Sequence, residues 1–130
     1  MFSDIAGIRA ALADRLRPNL PTKWKIEQAL KEPPQEFLSP LLVFEFTRLA
    51  PDADGQPLGP GHASAGVDLI IGTPKTAEGP GEDDVDQLAL SLVRVIDAQS
   101  DIYWSGAEKQ RLESGQWVWR IHTTVITSKE

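Results

Sequence analysis

The chain has 130 residues, a formal net charge of −6 and no cysteine. Its length fits one domain with its own hydrophobic core, and the lack of cysteine excludes disulfides and thiolate metal sites. The acidic balance argues against a nucleic-acid-binding protein, and the absence of a long apolar run or signal-peptide pattern predicts a soluble protein that stays in the cell that makes it.

The first half of the chain predicts one helix followed by three strands. Apolar side chains recur at steps of three and four over residues 3–16, Ser3 or Asp4 can cap the helix start, and prolines follow its end. The three predicted strands are residues 22–28, 40–49 and 64–73. Residues 31–35 predict a Pro-Pro turn, and residues 51–63 predict a loop long enough to be mobile or to act as an interaction arm.

The second half predicts a long helix and a hairpin. Residues 81–99 begin with acidic side chains, which suit the positive end of a helix, and continue with an apolar stripe. Residues 102–112 and 116–127 predict two strands around a short turn. In the last strand, one face is predicted to carry Trp117, Trp119, Ile121 and Val125, and the other Val118, Arg120, His122 and Thr124.

The resulting order is α-β-β-β-α-β-β in a single domain spanning residues 1–130, with loops at 51–63 and 74–81. A regular βαβ alternation is absent, which favours an α+β fold of two layers. We expect a mixed, mainly antiparallel sheet with both helices packed on one face. The other sheet face would carry Glu45, Asp68, Arg120 and His122, a set polar enough to meet water or a partner.

No catalytic, cofactor-binding or metal-binding signature is present, so the sequence predicts a protein that is not an enzyme and needs no cofactor. The dense carboxylates near residue 83 lack the spacing of a calcium-binding loop, and a helix start explains them without a metal. A zinc site would require His62 and His122 to meet and to recruit acidic ligands. Neither a nucleophile elbow nor a glycine-rich phosphate loop occurs.

The four tryptophans divide into two groups by their surroundings. Trp117 and Trp119 share a predicted face with apolar residues, which favours positions in the core. Trp104 stands beside a glycine, and both a core edge and a subunit contact fit its surroundings.

Six segments of the sequence carry a resemblance to a known family. They are the helix IRAALADRLRPNLP, the strands WKIEQ, PLLVFEFTRL and SAGVDLIIGT, the acidic-capped helix EDDVDQLALSLVRVIDA and the C-terminal WVWRIHTTVIT. Their layout, over nearly the full length, resembles the tail-terminator (tail-completion) proteins of long-tailed bacteriophages, particularly those infecting actinobacteria.

The resemblance implies a structural virion protein that works in the tail and neck after assembly in the host cytoplasm. Subunits of this family close into a hexameric ring that caps the tail tube at its proper length. The ring then offers a surface to the head connector or stopper. DNA passes through its lumen without sequence-specific binding, and no membrane is involved.

A head-to-tail ring contact needs two different patches on each subunit. Residues 51–101 hold two basic and ten acidic side chains, and we expect them to supply an acidic side that includes Asp52, Asp54, Glu82, Asp83 and Asp84. Candidates for the complementary side are Lys23, Lys25, Lys109, Arg111 and Arg120, with Trp104 as a candidate aromatic contact. Alternatively, the acidic loops line the lumen, where like charge keeps DNA from adhering.

Three other functions fit the same sequence. The first is another head-tail connector or neck component, such as a stopper or adaptor. The second is a small cellular α+β enzyme that acts on a small ligand. The lack of a convergent polar cluster in the sequence argues against it. The third is a toxin-antitoxin or other regulatory binding module.

Overall fold

A computed structural model of the chain describes residues 5–20, 24–27, 41–53, 56–73, 81–112 and 116–128. Within them lie two α-helices, α1 (Ile5–Leu16) and α2 (Gly81–Asp97), and a short 3-10 helix at Arg17–Asn19. The strands are β1 (Lys25–Glu27), β2 (Leu41–Ala50), β3 (Asp52–Ala53), β4 (Gln56–Pro57), β5 (His62–Gly72), β6 (Ile102–Arg111) and β7 (Trp117–Ser128). This is the small α+β fold that the sequence predicts, with the predicted order of elements.

Five strands form one mixed sheet in the order β1-β2-β5-β7-β6. Strand β1 runs parallel to β2, and the β2–β5, β5–β7 and β7–β6 pairs are antiparallel. Strand β5 is therefore central, which explains why its residues 64–72 are all buried. Neither helix in the described part of the chain is long and apolar enough to cross a membrane.

Both helices cover the same face of the sheet, as predicted. The apolar stripes of α1 and α2 meet the inward side chains of the strands in one continuous core, because each stripe needs an apolar partner to leave water. The fully buried members of this core with the largest side chains are Trp24, Ile8, Leu12, Leu16, Leu42, Leu69, Ile71, Leu92, Ile96 and Ile121.

Helix α1 ends where its sequence predicts. Pro18 lies in the 3-10 helix that follows, and the amide of Leu20 donates to the carbonyl of Arg17 at 3.1 Å, closing this tighter turn. Leu20 is buried, so the turn brings one more apolar side chain into the core.

The segment 51–63 is more ordered than the predicted loop. Strands β3 and β4 form a small hairpin, and β5 begins at His62 rather than at residue 64. The hydroxyl of Ser64 donates to the carbonyl of Asp52 at 2.6 Å, and the amide of Leu58 donates to the carbonyl of Pro51 at 3.0 Å. The bond from Ser64 fastens the hairpin to β5, and the bond from Leu58 to Pro51 closes the base of the hairpin. That this segment is mobile stays a prediction. The hydrogen bonds of Ser64 and Leu58 restrict its movement.

The second sheet face is only partly polar. Val43, Ile70 and Val118 form a small buried cluster there, with Leu41 and Leu112 packed against it. Of the polar side chains predicted for this face, Arg120 shares a row with Val43 and Ile70, and Glu45, Asp68 and His122 form the next row. Several predicted features lie outside the described residues: the caps Ser3 and Asp4, the turn at 31–35, most of the loop at 74–81 and the turn at 113–115.

Candidate functional site

The most polar part of the sheet is a network of five charged or titratable side chains on the face opposite the helices. Strand register produces it: Glu45 pairs with Asp68, and Asp68 pairs with His122, which forms one row across β2, β5 and β7. In the adjacent row, Arg120 pairs with Glu108 of β6. Side chains in neighbouring rows of one face are close enough to interact. We call these five residues the charge network.

Arg120 is the cation at the centre of the charge network. Its Nη1 donates to Oε1 of Glu45 and to Oδ2 of Asp68, each at 2.8 Å. Burial opposes the charge of Arg120, but its hydrogen bonds with Asp68 and Glu45 outweigh that cost, and its pKa is raised. The side chain of Asp68 is only 8% exposed, so Arg120 compensates a carboxylate that has lost most of its hydration.

His122 joins the network from the other side of Asp68. Its Nδ1 lies 2.9 Å from Oδ1 of Asp68, and its Nε2 lies 3.2 Å from Oε1 of Glu108. The hydrogen bond with Asp68 raises the pKa of His122 above its ordinary value of 6.5, with burial working against it and Glu108 adding to it. Both ring nitrogens face carboxylates, so this arrangement leaves no free imidazole nitrogen to take a proton from a substrate.

This convergence was not predicted from the sequence. Four of the five residues were expected on one face, but Glu108 was not among them, and the ion pairs depend on register, which no local pattern encodes. The described residues contain no group of three or more His, Asp or Glu that could hold a metal ion. The charge network therefore pairs charges from β2, β5, β6 and β7 within the chain.

A cavity of about 510 Å³ lies elsewhere, between the end of α1 and the β1–β2 edge. Its lining includes Asp14, Arg17, Trp24 and Lys25. None of these residues belongs to the charge network. The convergent titratable groups and this cavity are thus separate features of the described residues.

His62 does not approach the charge network. It pairs with Ser128 near the start of β5, and its Nδ1 lies 3.2 Å from the carbonyl oxygen of Thr127. Asp68, the partner of His122, lies six positions along β5 from His62, which is about 20 Å at roughly 3.3 Å per strand residue. The two histidines therefore do not meet to form the zinc site considered from the sequence.

Strand β6 forms one edge of the described sheet and exposes two aromatic side chains, Tyr103 (47%) and Trp104 (40%). The indole nitrogen of Trp104 donates to Oδ1 of Asp97 at 3.2 Å, which holds the ring beside the end of α2. Exposure of this size makes Trp104 a surface residue, available to a subunit contact. The register shifts between Trp104 and Gly106, so a β-bulge bends this edge.

The other end of β6 packs its basic residues on a tryptophan. Nζ of Lys109 lies 5.3 Å and Cζ of Arg111 lies 5.7 Å from the ring centroid of Trp117, both within the range of cation–π contacts. Trp117 is half-buried and does not join the core predicted for it. It is the first residue of β7 and lies at the periphery of the sheet. Trp119, two residues further, packs against the core as predicted.

Asp86 connects this corner to α2. Its carboxylate accepts from the indole nitrogen of Trp119 at 2.7 Å and pairs with Nζ of Lys109 at 3.1 Å. Lys109 was predicted to meet an acidic surface of a neighbouring subunit. The structure gives it an acidic partner from the same acidic segment of its own chain.

The remaining predicted interface residues are placed as follows. Lys25 and Arg111 are exposed, and Asp52 is half-buried at the base of the β3–β4 hairpin. Lys23 and Asp54 lie outside the described residues, as do the side chains of Glu82, Asp83 and Asp84, whose backbone forms the first turn of α2.

No protein-family model matches the sequence, and no curated protein is significantly similar to it.

Proposed function

We propose that the chain is a structural virion protein, a tail terminator that closes into a ring on the phage tail tube and forms the joining surface for the head connector. The layout of its sequence elements supports this proposal, and so does the small two-layer subunit with both helices on one sheet face. The charge network pairs its own groups, which suits a protein that docks rather than one that makes or breaks bonds.

The observation that carries the proposal is the difference between the two edges of the described sheet. One edge is β6, a ten-residue antiparallel strand with exposed Tyr103 and Trp104. The other is β1, which runs parallel to its neighbour β2. Unlike edges fit a heterologous contact, in which one side of a subunit meets a different side of the next, and such contacts generate rings when the rotation closes.

The candidate cations differ in their availability for such a contact. Arg120 is bonded to Glu45 and Asp68, and Lys109 is paired with Asp86. Arg111 and Lys25 are exposed, so they support the predicted basic side more directly. Exposed charges at the rim of an interface mainly steer association and set its specificity.

Negative-stain imaging of the purified protein, alone and mixed with tail tubes, tests the proposal. We expect ring-shaped particles at tube ends and tubes of uniform length. Protein that leaves the tubes uncapped at any concentration overturns the proposal. A stopper or adaptor would instead be found on the head side, so labelling of purified tails that have not met heads separates these two neck functions.

Arg111 provides a sharper test of the interface. Arg111→Glu reverses one exposed charge on the β6 edge, whereas Arg111→Gln removes it without reversal and serves as the matched control. We expect the Glu variant to cap fewer tubes than the Gln variant, with both retaining the circular dichroism spectrum of the native chain. Equal capping by both variants would remove Arg111 from the contact. A thermal-shift response to a small metabolite would favour the enzyme alternative.

A further inference from the structure

His122 lies between two carboxylates that belong to different strands. Asp68 is on the central strand β5, Glu108 is on the edge strand β6, and His122 is on β7 between them. The distances from its two ring nitrogens are 2.9 Å to Asp68 and 3.2 Å to Glu108. The imidazole of His122 thus links β5, β7 and β6, three neighbouring strands on the β6 side of the sheet.

The protonation state decides whether both contacts are attractive. A neutral imidazole has one N–H donor and one lone pair, so it can donate to only one carboxylate and presents its lone pair to the other. The imidazolium donates from both nitrogens. The observed geometry, with a carboxylate oxygen within 3.2 Å of each nitrogen, is therefore the geometry of the charged form.

The other charged groups around His122 favour the same conclusion. With a neutral imidazole, the network holds three carboxylates, Glu45, Asp68 and Glu108, against the single guanidinium of Arg120. Protonation of His122 adds the second cation. Arg48 and Tyr103 are further ionisable side chains on this face: Arg48 lies over Gly66, two residues before Asp68 along β5, and Tyr103 pairs with Thr124 one row away.

We propose that His122 is a proton-controlled clamp, which holds the edge strand β6 to the centre of the sheet while its imidazole is charged and loosens β6 when the proton leaves. The bulge near Trp104 interrupts the pairing between β6 and β7 beside His122, so the side-chain contact from His122 to Glu108 adds to the attachment of β6 at this point. The clamp is independent of the function proposed above, because it requires only the single chain.

The direction of the pH effect follows from linkage. Folding raises the pKa of His122 above its ordinary 6.5, so the stabilisation from the clamp is fully present below pH 6.5. It is lost as the pH rises through the folded pKa. An edge strand released in this way opens locally without unfolding the core.

Hydrogen exchange followed by NMR tests the clamp between pH 5.5 and 8.5. We expect amide protection factors in β6, corrected for intrinsic exchange, to fall on the order of two- to fivefold across the His122 titration, the size expected for a half-exposed ion pair. Protection in the β2–β5 pair should stay constant. The His122 ring itself should titrate above 6.5; a midpoint at or below that value overturns the proposal.

Two variants and one control complete the experiment. His122→Gln should abolish the pH step in β6, whereas His62→Gln, which changes the histidine whose Nδ1 lies 3.2 Å from the carbonyl oxygen of Thr127, should retain it. Glu108→Gln alters a side chain that is 64% exposed, so folding is not at risk, and it should shrink the step and lower the midpoint of His122. A step that persists unchanged in both His122→Gln and Glu108→Gln overturns the clamp.

Discussion

The guanidinium of Arg15 donates two hydrogen bonds to the carboxylate of Asp101, from Nη1 to Oδ1 at 2.7 Å and from Nη2 to Oδ2 at 3.1 Å. Arg15 lies in the last turn of α1, and Asp101 precedes β6. The carbonyl of Asp101 also accepts from the amide of Ile126 in β7 at 3.2 Å. Asp101 thus links helix α1 to the start of the β6–β7 hairpin.

The Arg15–Asp101 pair predicts a loss of stability in acid. The hydrogen bond from Arg15 lowers the pKa of Asp101 below 3.8, so the stabilisation is present above pH 3.8 and is lost as the pH falls through the folded pKa. Asp101→Asn should lower the free energy of unfolding at pH 7 by about 1–2 kcal/mol, as for a bidentate pair at a partly exposed site. Its urea midpoint should then change less with acid than that of the native chain.

The control for this pair is Asp14→Asn, which alters an exposed carboxylate in the same helix. It should change the free energy of unfolding by less than about 0.5 kcal/mol. If the urea midpoint of Asp101→Asn fell as steeply with acid as that of the native chain, the Arg15–Asp101 pair would not be the source of the loss of stability in acid.

Local sequence patterns predicted the helices and the long strands well, because their signals are short-range. The acidic start and apolar repeat of α2 predicted residues 81–99, and the helix spans Gly81–Asp97. Alternation in β2 placed Leu42 and Phe44 together on the core face. The mixed sheet also followed from the order of elements, and β1 supplies its parallel pair.

Features that depend on register or on the limits of the sheet could not be predicted in the same way. Glu108 reaches His122 only because of the pairing between β6 and β7, which a bulge shifts. Trp117 alternates with core residues, yet it is the first residue of β7, and its ring contacts Lys109 and Arg111 instead of the core. The β3–β4 hairpin lies in a Pro- and Gly-rich segment whose composition indicates a loop.

Removal of Arg120 should be costly, because it takes the guanidinium away from the nearly buried Asp68 and from Glu45 and leaves His122 as the remaining partner of Asp68 in the charge network. We expect Arg120→Met to lower the free energy of unfolding by about 2–4 kcal/mol, close to the cost of breaking a buried ion pair. The double variant with Asp68→Asn removes one of the two carboxylates that lose the guanidinium and should recover part of this loss. Urea denaturation of the single and double variants measures the coupling; strictly additive losses would contradict it.

Gly66 should tolerate no side chain, since a Cβ there would lie 2.6 Å from Cγ of Arg48 and 2.6 Å from Oγ1 of Thr47. Gly66→Ala should destabilise the fold by about 1–3 kcal/mol through overpacking. Shortening the neighbour in Gly66→Ala/Arg48→Ala should relieve part of the strain. Gly59→Ala is the matched control, because its Cβ would make only an ordinary contact of 3.6 Å with His62, and its thermal midpoint should stay near that of the native chain.

Two leucines of α2 test which side of the helix faces the sheet. Leu92 is 0% exposed in the core, whereas Leu90 is 47% exposed. Leu92→Ala should lower the free energy of unfolding by about 2–5 kcal/mol, because it removes buried methyl groups and leaves a cavity. Leu90→Ala makes the same chemical change at the surface and should cost less than about 0.5 kcal/mol. Urea denaturation at matched protein concentration measures both, and equal losses would mean that α2 is rotated from the orientation described.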